Sequence, residues 1–121
     1  MGRILVVDDD DLIIEAFRVV MSKFKHEVDY IKLANDAIDL FKPNKYQLVF
    51  LDLALPDKDG SEVLKKLRAQ DDKVKICVIS GFLSKLGTFL SQHGQGMENT
   101  IFCMKPIGRD EIIKITKEAI G

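Results

Sequence analysis

Four short apolar runs punctuate the chain: Ile4-Leu5-Val6-Val7, Leu48-Val49-Phe50-Leu51, Ile76-Cys77-Val78-Ile79 and Thr100-Ile101-Phe102-Cys103-Met104. Brief runs without polar alternation are the pattern of parallel strands covered on both faces. Glu27-Val28-Asp29-Tyr30-Ile31 alternates instead, which predicts a strand near a sheet edge with one side less buried. Between the runs the period lengthens. Ile13, Phe17, Val20 and Phe24 fall at i, i+4, i+7 and i+11, and Ala34, Ala37, Ile38 and Phe41 form a second helical stripe that Pro43 stops. Val63, Leu64 and Leu67 mark a third helix opening near Ser61. Ile112, Ile113, Thr116, Ala119 and Ile120 mark a last one after Gly108. The stretch from Gly81 to Asn99 resists assignment, because Gly87, Gly94 and Gly96 interrupt the helix that Phe82 to Leu90 could form.

Strands alternating with helices through right-handed crossovers predict an α/β fold, a doubly wound five-stranded parallel sheet with helices on both faces. No repeat, low-complexity tract or linker divides the pattern, so residues 1–121 are expected to form one domain. In such folds ligands bind beyond the carboxyl ends of the strands. The residues at those positions are Asp8-Asp9-Asp10-Asp11, then Asp52, then Ser80-Gly81, then Lys105-Pro106.

Helix capping and the favourable interaction of an acid with a helix N-terminus account for Asp10 and Asp11. They leave Asp8 and Asp9, which end a strand, and Asp52, which ends its neighbour. Carboxylates crowded at one sheet edge repel one another unless a hard cation joins them, and Mg²⁺ held by a few carboxylates, a carbonyl and waters answers that need. A carboxylate beside a metal also suggests nucleophilic attack on phosphorus, giving an aspartyl phosphate. Lys105 could then pair with a phosphoryl oxygen and the Ser80 hydroxyl could donate to another.

Composition narrows the function classes. With 18 Lys+Arg against 19 Asp+Glu the net charge is −1, which gives no overall pull toward nucleic acid or anionic lipid. No stretch of about 18 apolar residues and no leader pattern is present, so neither a membrane role nor secretion is expected. Cys77 and Cys103 each sit inside an apolar run and form no metal-ligand cluster, which reads as two small buried hydrophobes in a reducing cytoplasm. His26 and His93 are expected at the surface, and Lys65-Lys66-Leu67-Arg68 as a solvated helix face.

The ordered set Ile4-Leu5-Val6-Val7-Asp8-Asp9, Asp52-Leu53-Ala54-Leu55-Pro56-Asp57-Lys58-Asp59-Gly60, Ser80-Gly81 and Lys105-Pro106 resembles the receiver domain of bacterial two-component response regulators, across essentially the whole chain. The resemblance implies a flavodoxin-like, CheY-like sheet in the order 2-1-3-4-5 with five helices and a cis Lys105-Pro106 bond. It also implies a signalling module rather than an enzyme with a turnover substrate. Asp52 would be the phosphoacceptor. Asp8, Asp9, Asp52 and the Ala54 backbone carbonyl would hold Mg²⁺ or Mn²⁺, Ser80 and Lys105 would bind the phosphoryl group, and Phe102 would be the switch aromatic. The implied partners are a histidine kinase or phosphotransfer protein and a downstream target or effector domain, with a homodimer as a further state.

Pro56 and Gly60 punctuate the loop after Asp52, where Gly60 could adopt a positive φ. Ala54 and Gly81 are both small, so water should reach the phosphoryl group and its lifetime should not be unusually long. The sequence departs from the family between Ser80 and Lys105. That spacing is longer than is common, and Gly94-Gln95-Gly96-Met97-Glu98-Asn99 replaces the usual Gly-Ala pair, which bears on any partner surface built there.

Two other readings use the same residues. A pseudo-receiver would bind partners without phosphorylation, and the full set Asp8, Asp9, Asp52, Ser80 and Lys105 argues against it. A phosphatase of the haloacid dehalogenase type also forms an aspartyl phosphate, but it needs a second Asp where this chain has Ala54. Dinucleotide and P-loop signatures are absent, and an EF-hand register on Asp57-Lys58-Asp59-Gly60 fails at Leu55 and Lys66.

Overall fold

A computed structural model describes residues 2–81 and 98–121. The elements run β1 (Arg3–Val7), α1 (Asp11–Met21), β2 (Glu27–Ile31), α2 (Ala34–Leu40), β3 (Leu48–Asp52), α3 (Gly60–Gln70), β4 (Lys75–Ser80), β5 (Thr100–Met104) and α4 (Arg109–Ala119). The expected helix between Gly81 and Asn99, and His93 with it, lies outside the described residues apart from its flanks. All strand pairs are parallel, in the order β2-β1-β3-β4-β5. The alternating segment, β2, is an edge strand as its pattern predicts.

The unbroken apolar runs become the covered strands. Leu5, Val7, Val49, Leu51, Ile76 and Val78 face α2 and α3, packing on Ala34, Ala37, Val63, Leu64 and Leu67. Ile4, Val6, Leu48, Phe50, Cys77 and Ile79 face α1 and α4, packing on Phe17, Val20, Ile112 and Ile115. Each large side chain fully buried in these two cores contributes about 1.5–3 kcal/mol. Cys77 and Cys103 are free thiols in the second core with Sγ atoms 3.6 Å apart, as expected of small buried hydrophobes.

Four expectations are corrected. The buried face of α1 is Ile14, Phe17, Val20 and Met21, while Ile13 is half-buried and Phe24 lies beyond the helix end. Leu12-Ile13-Ile14 is an apolar triplet compatible with two helical registers, and the one adopted leaves Leu12 81% and Val19 64% exposed. Gly60 does not take a positive φ; a Cβ there would lie 2.5 Å from the Leu53 Cα and 2.6 Å from the Asp52 carbonyl oxygen, so close backbone approach is what requires glycine. Arg68 is not a solvated helix-face residue. Its guanidinium donates to the carbonyls of Val74 (2.6 Å) and Asn99 (2.9 Å) and to the Thr100 hydroxyl (2.8 Å), pinning the start of β5 to the turn before β4. His26 is half-buried, stacked on Phe24 with its Nδ1 accepting from the Gly2 amide at 2.8 Å.

Candidate functional site

The carboxyl ends of β1, β3, β4 and β5 meet at one edge of the sheet. β1 stops at Val7, and the Asp8 amide then donates to the Ile31 carbonyl at 3.0 Å, holding Asp8 beside the end of β2. The next two acidic residues do what capping predicts. Asp10 is the N-cap of α1 and accepts from the Leu12 amide at 2.9 Å, and Asp11, in the first turn, pairs with Lys32 at 2.5 Å. Asp8 and Asp52 are 2% and 1% exposed, whereas Asp9 is exposed.

Carboxylate oxygens of Asp8, Asp9 and Asp52 lie within 4.8 Å of one another. Lys105 enters from the end of β5, with its Nζ 2.9 Å from Asp52 Oδ2 and 3.6 Å from Asp8 Oδ2. The Lys105 amide donates to the Ser80 carbonyl at 2.8 Å, and the Lys105-Pro106 peptide bond is cis. Ser80 is buried at the end of β4, next to Ile79, which pairs with Asp52. Phe102 is half-buried on β5 opposite Val78 and packs against the core shared with α2 and α3.

The loop leaving Asp52 is tightly turned. Ala54 donates its amide to Asp52 Oδ1 at 3.0 Å and forms an isolated antiparallel bridge with Asp59. That bridge engages the Leu53 carbonyl, which accepts from the Gly60 amide at 2.9 Å, rather than the Ala54 carbonyl. A Cβ at Gly81 would meet Lys105 Cδ at 3.9 Å, an ordinary contact, so an alanine would fit there too.

Charge is poorly balanced in this edge. Burial pushes the Asp8 carboxyl up to about 6, and the Asp52 and Asp9 charges add to it, while the Asp10 amide and Lys105 pull it back. Partial burial disfavours the Lys105 ammonium, but the hydrogen bond and charge of Asp52 outweigh it and raise its pKa. One ammonium therefore serves two buried carboxylates. Asp8 Oδ2 is buried with no hydrogen-bond partner, and a buried polar atom left so costs about 1–3 kcal/mol or more. Two buried carboxylates, one of them with an oxygen that accepts no hydrogen bond, and a third exposed at the rim form an all-oxygen donor set that fits a hard divalent cation such as Mg²⁺ or Mn²⁺.

One residue of the motif after Asp52 has a role at this edge that its sequence position does not reveal. Asp57, on the same loop as Ala54, turns its carboxylate onto the first amides of α2. Its partners are more than twenty positions away in the chain, a spacing that no local capping pattern reveals.

Comparison with known proteins agrees with this geometry. The family model for the response regulator receiver domain matches residues 4–117. The cell cycle response regulator CtrA of Brucella ovis is 32% identical over 111 residues, which cover 92% of this chain and 47% of CtrA. The chain thus spans less than half the length of that curated relative. Among solved structures, a CheY-like response regulator receiver domain from Methylobacillus flagellatus is 27% identical with a TM-score of 0.79, covering 98% of each chain. The receiver domain of the sensor histidine kinase PA1611 from Pseudomonas aeruginosa, which has a magnesium ion coordinated in its active site cleft, matches at a TM-score of 0.82. It is 22% identical and covers 99% of this chain and 98% of its own, a likeness of fold. With the fold, the acidic edge and the family match in agreement, the chain belongs to the response regulator receiver domain family, whose members serve phosphorelay signalling.

Proposed function

We propose that this chain is a phosphoacceptor, with Asp52 accepting a phosphoryl group from the phosphohistidine of a histidine kinase or phosphotransfer protein. An Asp52 carboxylate oxygen attacks phosphorus, the P–O bond forms as the P–N bond breaks, and the electron pair leaves with the imidazole, which takes up a proton. The observation that carries this reading is the Lys105 ammonium 2.9 Å from Asp52 Oδ2, beside the buried, orphaned oxygen of Asp8. A nucleophile is held at a strand end with a cation already upon it.

Asp8, Asp9 and the Ala54 carbonyl, with Asp52, would hold Mg²⁺ or Mn²⁺. When bound, that ion neutralises charge between the carboxylate and the incoming phosphoryl oxygens. Lys105 transfers its ion pair from Asp52 to a phosphoryl oxygen, and the Ser80 hydroxyl donates to another. The added charge of about −1.5 to −2 favours the conformer closed on it, with Phe102 following the shift of Ser80. A downstream protein, an effector domain or a second copy of the chain reads the altered surface. The reading places the chain in the cytoplasm and needs no contact with nucleic acid or membrane by this domain.

Intact mass after incubation with a small phosphodonor and Mg²⁺ tests it. One added phosphoryl group is expected, absent with a chelator and absent from Asp52→Asn. An unchanged mass under conditions that trap short-lived acyl phosphates would favour the pseudo-receiver. With small side chains at Ala54 and Gly81, the label is expected to hydrolyse rather than persist undiminished over many hours.

A further inference from the structure

The N-terminus of α2 has no cap of its own. Its N-cap position is Leu33, which offers no side-chain acceptor, and the first two helical residues present unpaired amides. Asp57 supplies the cap from across the molecule: Oδ1 accepts from the Ala34 amide at 2.8 Å and Oδ2 from the Asn35 amide at 3.0 Å. These amides hold the Asp57 carboxyl below the usual carboxylate range, so it stays ionised and accepting throughout the neutral range.

The capped helix and the acidic edge share a wall. β2 leads directly into α2, and the last residue of β2, Ile31, accepts the Asp8 amide at 3.0 Å. Asp57 lies three residues past Ala54 on the loop leaving Asp52. That loop is tied at one end by the Ala54 amide on Asp52 Oδ1 and at the other by Gly60 on the Leu53 carbonyl. Between those ties Ala54 and Pro56 are exposed and Leu55 packs non-directionally on the core shared with α2 and α3, so Asp57 supplies the span's side-chain hydrogen bonds to the start of α2. The β1 and β3 sides of the edge are thereby referenced to one element, the β2–α2 junction.

We infer that Asp57 is a positioning residue for the divalent-cation site, holding the loop against the start of α2 so that the Ala54 carbonyl keeps its place relative to the Asp52 carboxylate. The inference rests on the proposed role of Ala54 and Asp52 in metal binding. Its consequence is that metal affinity depends on a side chain that touches neither the ion nor the phosphoryl group.

The test uses the full chain and three variants. Asp57→Ala is expected to weaken Mg²⁺ binding, measured by calorimetry, by about 3- to 10-fold, less than the 10- to 100-fold typical of groups bonded directly to a ligand side chain. Hydrogen exchange of the Ala34 and Asn35 amides is expected to accelerate in the same variant. Asp57→Asn keeps one acceptor oxygen and should fall between the two. Tyr46→Phe, which removes a hydrogen bond at the opposite end of the sheet, should lower stability without changing Mg²⁺ affinity. Wild-type Mg²⁺ affinity in Asp57→Ala, or an equal weakening in Tyr46→Phe, would overturn the inference. Phosphoryl uptake is scored separately on the wild type, so a failure of the phosphoacceptor reading appears there and not in the Asp57 contrast.

Discussion

Asp8 and Asp29 both lie in the sheet's half-buried or buried polar fringe, and the fold treats them in opposite ways. Asp29, midway along β2 opposite Leu5, is held by residues at the amino ends of the strands, accepting from the Tyr46 hydroxyl at 2.6 Å and from Arg3 Nε at 3.2 Å. Partial burial works against its charge, but those two donors prevail and hold its carboxyl below the usual range. Asp8, at the carboxyl ends, is more buried, keeps an oxygen without a hydrogen bond among the described residues and is pushed up to about 6. Arg68 extends the contrast, since its guanidinium is distributed over the oxygens of Val74, Asn99 and Thr100 at the amino end. At the amino end the Asp29 carboxylate is paired by the chain itself, and the buried atoms left there without a hydrogen bond among the described residues, Arg68 Nε and His26 Nε2, are nitrogens of a cation and a ring rather than carboxylate oxygens that could hold a metal. At the carboxyl end the buried Asp8 Oδ2 accepts no hydrogen bond from the described residues and meets the Lys105 ammonium only at 3.6 Å, which suits it to a cation.

Substitutions at the two ends should therefore separate metal binding from stability. The largest expected effect is on Asp8→Asn, which removes a proposed ligand and should weaken Mg²⁺ binding by about 100-fold or more by calorimetry, beyond what indirect groups cost. Asp29→Asn should leave that affinity unchanged. Next comes pH. The folded Asp8 carboxyl ionises near 6, against 3.8 for the free group, so the folded chain binds more protons between those values. Without metal, stability should accordingly fall as pH rises from about 4 to about 6, on the order of 2–3 kcal/mol in urea unfolding, and the slope should flatten in Asp8→Asn. A slope of the opposite sign attributable to Asp8 would remove the contrast.

Arg68→Ala should cost about 2 kcal/mol of unfolding free energy by stranding the Val74 and Asn99 carbonyls, while phosphoryl uptake persists. The smallest effect expected is Tyr46→Phe, about 1 kcal/mol for one hydrogen bond to Asp29. If Tyr46→Phe also weakened Mg²⁺ binding, the two ends would not be independent.

Much of this was legible in the residues alone, for reasons that differ by feature. The covered strands follow from apolar runs such as Leu48 to Leu51, because a run of four hydrophobes that ends at once on a polar residue is too short for a buried helix and suits a strand covered on both faces. The acidic edge follows because each apolar run ends on a polar residue at the same topological level. Helix faces were less determinate, since the triplet Leu12-Ile13-Ile14 carries two registers and only the Asp10 cap with tertiary packing selects one. Roles depending on distant partners were hidden. Arg68 looks like any lysine-rich helix-face residue until the Asn99 carbonyl is placed beside it, and Asp57 looks like a turn residue until α2 arrives. At Gly60 the sequence marks the position but not the cause, because it cannot distinguish a need for positive φ from a lack of room for Cβ.

Where the phosphoryl group attaches decides whether Asp52 is the phosphoacceptor. The protein is incubated with a small phosphodonor and Mg²⁺, the acyl phosphate is trapped by borohydride reduction, which converts a phosphorylated aspartate to homoserine, and the peptides are mapped by mass. The change is expected at position 52 alone, and is lost when the metal is chelated. A change at Asp8 or Asp9, or reduction at position 52 that persists without metal, would contradict it.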